Sequence, residues 1–218
     1  RTHRQVIAVS AHRYPIANAK WSFYVCQVFD CYGFSYFIAN QNGRRGFHKG
    51  LHMLNEQQLE ELCLGWFQDA GWRFAHGPDI APDSSAPERT DYRQVVLRER
   101  LLTALARINP HIPPAALEQA AHALQTVSEP QMVVRNRSVH RLLLGGLLVE
   151  FAVGDEKKTD LVHFIDFAQP SNNDFLVVTQ FTITGTKQPR RPAVIALVNG
   201  LPLAVVELKD PANEQTDV

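Results

Sequence analysis

Three cysteines in 218 residues, Cys26, Cys31 and Cys63, are too few and too irregular to staple a fold. They are odd in number and form no CxxC pair, which argues against both a disulfide framework and a zinc site. The nine histidines fall in no HExxH frame, so they read as surface or loop residues rather than ligands. No G-x-x-x-x-G-K-[ST] stretch occurs, which excludes the backbone cradle and lysine that hold nucleotide phosphates. Long apolar runs are also missing. Residues 23–39 come nearest, but Gln27, Asp30, Gly33 and Ser35 interrupt them, and they fall short of the roughly 18–20 apolar residues of a spanning helix. The expectation is a cytoplasmic protein with no membrane partner.

Net charge is absent too, with 22 basic and 22 acidic residues, but this is a cancellation between unlike parts. Residues 1–52 carry seven Lys or Arg against the single acid Asp30, a formal charge of +6, and hold ten of the twenty aromatics. The remainder carries fifteen basic and twenty-one acidic residues, or −6. Two accounts fit the first segment. It is translated upstream sequence ahead of a natural start at Met53, or it is a basic, aromatic arm whose cations meet phosphate while its rings stack on bases.

From Met53 on, the pattern is one α/β domain with helices first and a sheet afterwards. Asn55 caps a first helix containing Leu59, Leu62 and Phe67, and Gly71 ends it. Residues 76–89, with Pro78, Pro82 and Pro87, read as solvated loop or as a docking surface. Helices are expected over residues 92–109, from Pro113 through Leu124, and from an Asn136 cap through Leu144. Arg98, Arg100 and Arg107 lie among Glu99 and Glu118, which makes a mixed solvated face. Strands are expected at residues 147–153, 161–167, 175–184, 194–198 and 203–209.

The last of these strands carries the chemistry. Alternation places Leu203, Val205, Glu207 and Lys209 on one face, so a carboxylate and an ammonium project together from an apolar sheet edge. Alone, the three letters ExK describe an ordinary strand-end ion pair; a metal-dependent nuclease uses the same pair to hold a hard cation and to orient water. Asn199-Gly200 joins this strand to the preceding one as a hairpin. A strict two-residue turn sets Ala193 opposite Val206, on the other face from Glu207, whereas an odd loop or a bulge returns position 193 to the Glu207 face. Gln180 lies within the 175–184 strand, on the face of Leu176 and Val178, where a buried amide requires a partner. Arg190 and Arg191, with Lys187, form the basic cluster nearest this site, suited to phosphate. Asp166 and Asp174 sit at strand ends and read as turn acids or as further ligands.

Four segments, HGPDIAPDSSAPER from His76, ARINPHIPP from Ala106, FIDFAQPSNNDFLVVTQFTI from Phe164 and RRPAVIALVNGLPLAVVELKDPA from Arg190, occur together in order. In these the chain resembles the N-terminal part of the restriction (R) subunit of type I restriction-modification systems, over about residues 53–218. The resemblance implies a PD-(D/E)xK nuclease fold, a mixed sheet flanked by helices, truncated here at its C-terminal side before a Gln and Tyr helix motif and an ATP-driven translocating motor. It implies Mg2+ as cofactor, double-stranded DNA as substrate, and methyltransferase and specificity subunits as partners; ATP belongs to the motor. Glu207 matches the family's metal-binding acid and Lys209 its lysine. The family's first acid, the Asp of Arg-Pro-Asp, falls on Ala193 after Arg191 and Pro192. Upstream, where the family reads His-Arg-Leu-Leu-Thr-Glu-Gly, Gly145 replaces the acid. The resemblance therefore implies an endonuclease with a weakened site. The competing expectation is an inert remnant that serves as a DNA-binding or docking module; a stand-alone repair nuclease fits the four segments less well.

Overall fold

Helix α1, Glu56–Asp69, is built on an apolar stripe and stops at Gly71, whose φ of +86° only glycine adopts without strain. The Gly71 and Trp72 N–H groups turn back to the carbonyls of Gln68 and Phe67, at 2.9 and 3.0 Å. The computed structural model describes residues 23–30, 33–40, 56–185 and 188–206. Asn55, Glu207, Lys209 and Lys187 lie outside these residues. Within residues 1–52, β1 (Phe23–Asp30) and β2 (Gly33–Asn40) pair antiparallel, Phe23 opposite Asn40 and Asp30 opposite Gly33.

The described residues divide into two units. The first comprises those up to Gln94 with residues 175–197 and 202–206. Its sheet has the order β3 (Arg73–His76), β6 (Phe175–Thr179), β7 (Val194–Val198), β8 (Leu201–Val206). β3 runs parallel to β6, while the tight turn after β7 makes β7 and β8 antiparallel, so the sheet is mixed. Cys63 of α1 packs on Val177, Ala193, Val194 and Val206, with Leu64, Phe67 and Trp72 around them. Trp72 meets Phe67 edge-on and Phe175 at a tilt, each centroid 5.1 Å away.

The second unit comprises Val95–Asp174 and Val198–Leu201. It holds α2 (Arg98–Ile108), α3 (Pro114–Gln125), α4 (Met132–Gly145) and an antiparallel hairpin of β4 (Leu147–Val153) and β5 (Glu156–Val162). Leu101, Ala104 and Leu105 of α2 bury against α3, which supplies Ala116, Leu117, Ala120, Ala121 and Leu124. Asn109 closes α2 from inside: its Nδ2 donates to the Leu105 and His163 carbonyls, both at 2.9 Å, and its Oδ1 accepts the His163 N–H.

Several boundaries differ from the sequence expectation. α2 starts at Arg98 rather than Tyr92, because the extended Leu97 spends its N–H on the Gly200 carbonyl at 2.9 Å. α4 starts at Met132 with Gln131 as its cap, so Asn136 lies inside the helix and does not cap it. β5 covers Glu156–Val162 instead of 161–167, since the turn at Gly154, φ +63°, pairs whatever follows with β4 regardless of polarity. β6 ends at Thr179, not Thr184. Residues 76–89 are not simply solvated: Ile80, Ala81 and Arg89 are buried.

At the end of β7, Asn199 and Gly200 take φ of +54° and +75°, as a two-residue hairpin turn requires. Asn199 is fully buried. Its N–H donates to the Asp174 carbonyl at 2.8 Å, its Oδ1 accepts the Asp174 N–H at 2.7 Å, and its Nδ2 donates to the Phe164 carbonyl at 2.8 Å and to Asn173 Oδ1 at 2.9 Å. Replacing Asn199 by Ala orphans several buried groups and is expected to cost about 3 kcal/mol in denaturant unfolding. Gly200→Ala also destabilises, since a Cβ there lies 2.4 Å from the Leu97 carbonyl oxygen. An Asn199→Ala protein with the wild-type midpoint removes the turn from this role.

Candidate functional site

Position 193 sits where α1, β6 and β7 meet. Ala193 is 6% exposed, and its neighbours Cys63, Val177, Val194 and Val206 form an apolar cluster. Its carbonyl accepts the N–H of Gln180 at 3.1 Å. Gln180 is not inside a strand as expected: with φ at +54° it turns the chain out of β6, off the alternation that put it with Leu176 and Val178. Its Nε2 donates to Glu60 Oε2 at 3.1 Å, so the partner demanded by that amide is a carboxylate of α1. Glu60 was not anticipated. Spaced with Cys63, Leu64 and Phe67 at i+3, i+4 and i+7, it is an acid on the stripe that faces the sheet, which was a legible signal.

Beyond Gln180, an antiparallel bridge joins Ile183 to Arg190. Arg191 is exposed and donates from Nε to Thr182 Oγ1 at 3.2 Å. Ala193, just before β7, and Val206, at the end of β8, share the Cys63 cluster. Burial, with a smaller contribution from the charge of Glu60, pushes the Cys63 thiol up to about 11, so it stays protonated and inert.

The other acids have local work. Asp174 is 8% exposed and pairs with Arg100 Nη1 at 3.0 Å. Asp166 accepts the Gln169 N–H and Asn172 Nδ2, both at 2.8 Å, and these bonds hold its carboxyl below the usual carboxylate range. Gly145 ends α4 and supplies no side chain. Among the described residues no three His, Cys, Asp or Glu gather as a metal would need, and no helix is long and apolar enough to cross a membrane.

The family described as Type I restriction enzyme R protein N terminus matches residues 53–217. The chain belongs to that family. The chain is 36% identical over 167 residues to a protein named Type I restriction enzyme HindI endonuclease subunit, from Haemophilus influenzae, covering 76% of this chain and 16% of that protein. It is 30% identical over 167 residues to a putative type I restriction enzyme MjaIXP endonuclease subunit from Methanocaldococcus jannaschii, covering 75% and 16%. The chain thus spans about one sixth of the length of these curated relatives.

Two expectations follow from these surroundings. Cys63 resists iodoacetamide in the folded protein and reacts on unfolding, as peptide mass spectrometry would read; rapid labelling of folded protein refutes its burial. Because the folded Asp166 carboxyl is depressed, its stabilising effect is present above the unfolded value of about 4 and fades as pH falls through the folded one. The gap in melting temperature between wild type and Asp166→Asn is therefore full near neutrality and closes in acid. A gap independent of pH would show that ionisation is not what stabilises this turn.

Proposed function

We propose that the chain is the PD-(D/E)xK nuclease region of a type I restriction R subunit whose site is one carboxylate short. On this reading Glu207 is the metal-holding acid and Lys209 the cation beside it, and Arg190 and Arg191 meet the DNA backbone. Gln180 is tied to Glu60 and Ala193 and serves to position that corner rather than to reach DNA. The full-length subunit would hydrolyse phosphodiester bonds in double-stranded DNA with Mg2+, couple this to an ATP-driven motor in later domains, and take its sequence specificity from methyltransferase and specificity subunits.

The observation that carries the reading is the surroundings of Ala193. Mg2+ takes hard oxygen ligands. Position 193 offers a methyl group, held among Cys63, Val177 and Val206. The described residues do not fit a two-carboxylate Mg2+ site, so no catalytic step through the metal is derived for this chain. The same observation favours the second reading, a catalytically inactive remnant that keeps the fold and serves as a DNA-binding or subunit-docking module.

The test is Mg2+-dependent nicking of supercoiled plasmid by the R subunit carrying this sequence, beside Ala193→Asp and a double Ala193→Asp, Lys209→Ala control. The Ala193→Asp form is expected to nick at least about a hundredfold faster than the native sequence, and the double variant to lose that gain. Efficient nicking by the native sequence that disappears with Glu207→Ala would show that another acid fills the ligand role and would overturn the weakened-site reading.

A further inference from the structure

The loop after β3 builds a cavity of about 320 Å³, a size in the range of ligand sites, bordered in part by Gly77, Ser84, Arg89, Tyr92, Thr182 and Arg191. Its wall is held close to the sheet. A Cβ on Gly77 would lie 2.5 Å from the Gln180 carbonyl oxygen, and His76 Nδ1 and Thr179 Oγ1 are 3.2 Å apart.

The unusual member is Arg89, only 2% exposed. Its guanidinium carbon lies 3.8 Å from the Phe181 ring centroid and 5.2 Å from that of Tyr92, within cation–π range of both. Nη1 donates to the Gln94 carbonyl at 3.4 Å. Nε and Nη2 are buried without a partner, as is Ser84 Oγ on the same cavity. Nε and Nη2 form one edge of the guanidinium, the fork that matches two oxygens of a phosphate or carboxylate. A buried cation with that edge unanswered is costly, and an oxyanion offsets the cost.

We propose that this cavity is a phosphate-oxyanion site, and that the phosphate it takes belongs to a DNA backbone. Arg89 grips two oxygens, Ser84 donates from its hydroxyl, and Arg191 supplies the second positive charge. Asp83 also borders the cavity, its Oδ1 accepting the Tyr92 hydroxyl at 2.6 Å, a bond that keeps the acid ionised. A carboxylate at the border disfavours polyphosphates and leaves room for the single charge of a diester. Arg191 lies two residues before position 193, so a phosphate held here sits beside the corner assigned to cutting. The choice of DNA as the source rests on the function proposed above; the oxyanion site rests on Arg89.

The test is anisotropy of a short fluorescent DNA duplex with the full chain, in chelator without Mg2+, so that binding is separated from any cutting and from the fate of position 193. Arg89→Lys keeps the charge and loses the fork. It and Arg191→Gln are each expected to weaken duplex binding about tenfold, with Arg191→Gln also lowering the salt slope by about one. Ser84→Ala, which removes one hydroxyl, weakens binding by a smaller factor. Inorganic phosphate raises the melting temperature of wild type more than chloride does at matched ionic strength, and that rise is lost in Arg89→Lys. Unchanged duplex affinity in all three variants overturns the DNA assignment. If phosphate still protects in that case, the site takes a small free phosphate instead; if it does not, Arg89 is a packing residue and the oxyanion site is refuted.

Discussion

A buried amide at a hairpin turn is the constraint on which the sheet rests. The turn between β7 and β8 is not a solvated loop tip: Asn199 is fully buried and meets Asp174, Phe164 and Asn173 through four hydrogen bonds. Two of those bonds go to the backbone of Asp174, the residue before β6. A strand slipped by one residue would reverse every side chain, which makes such an anchor decisive for where position 193 falls. Asp174 is then held from its other end by Arg100, whose charge answers a carboxylate that is nearly out of water.

Strand β7 and the first hairpin strand β4 were legible because five and seven apolar-rich residues between turn signals leave few alternatives. The turn Asn199-Gly200 was equally plain, and both residues take the positive φ that a two-residue hairpin turn needs. Strand β3 could not be read: it has four residues, three of them exposed, and exists through its parallel pairing with β6. The Asn136 cap failed for the converse reason, since a good capping residue was available but the helix had already begun at Met132. Gln180 was singled out correctly as an amide in need of a partner, yet its position was misjudged. A positive φ at a glutamine leaves no mark in a one-dimensional pattern.

Residues 180–183 and 190–191 link the corner at position 193 to the Arg89 cavity. At one end, Gln180 binds the Glu60 carboxylate through its side chain and the Ala193 carbonyl through its main chain. One residue later, Phe181 is fully buried and supplies the ring under Arg89. Thr182 then receives Arg191. A short segment thus carries the corner at position 193 on one side and the Arg89 cavity on the other, and a displacement of it would move both.

The two places differ in electrostatics. In the cavity, two donors of the buried Arg89 guanidinium have no hydrogen-bond partner; burial pushes its pKa down, and Tyr92 is the group that opposes this. At the corner, the position that would hold an acid on the proposed reading carries a methyl group in an apolar cluster, joined to Glu60 through the two hydrogen bonds of Gln180. An aspartate at 193 would bring a second carboxylate into surroundings that already keep the Cys63 thiol protonated, and only a cation would offset that burden. Alanine removes the requirement. On the reading proposed above, alanine at 193 trades a metal ligand for an apolar corner that needs no cation to offset it.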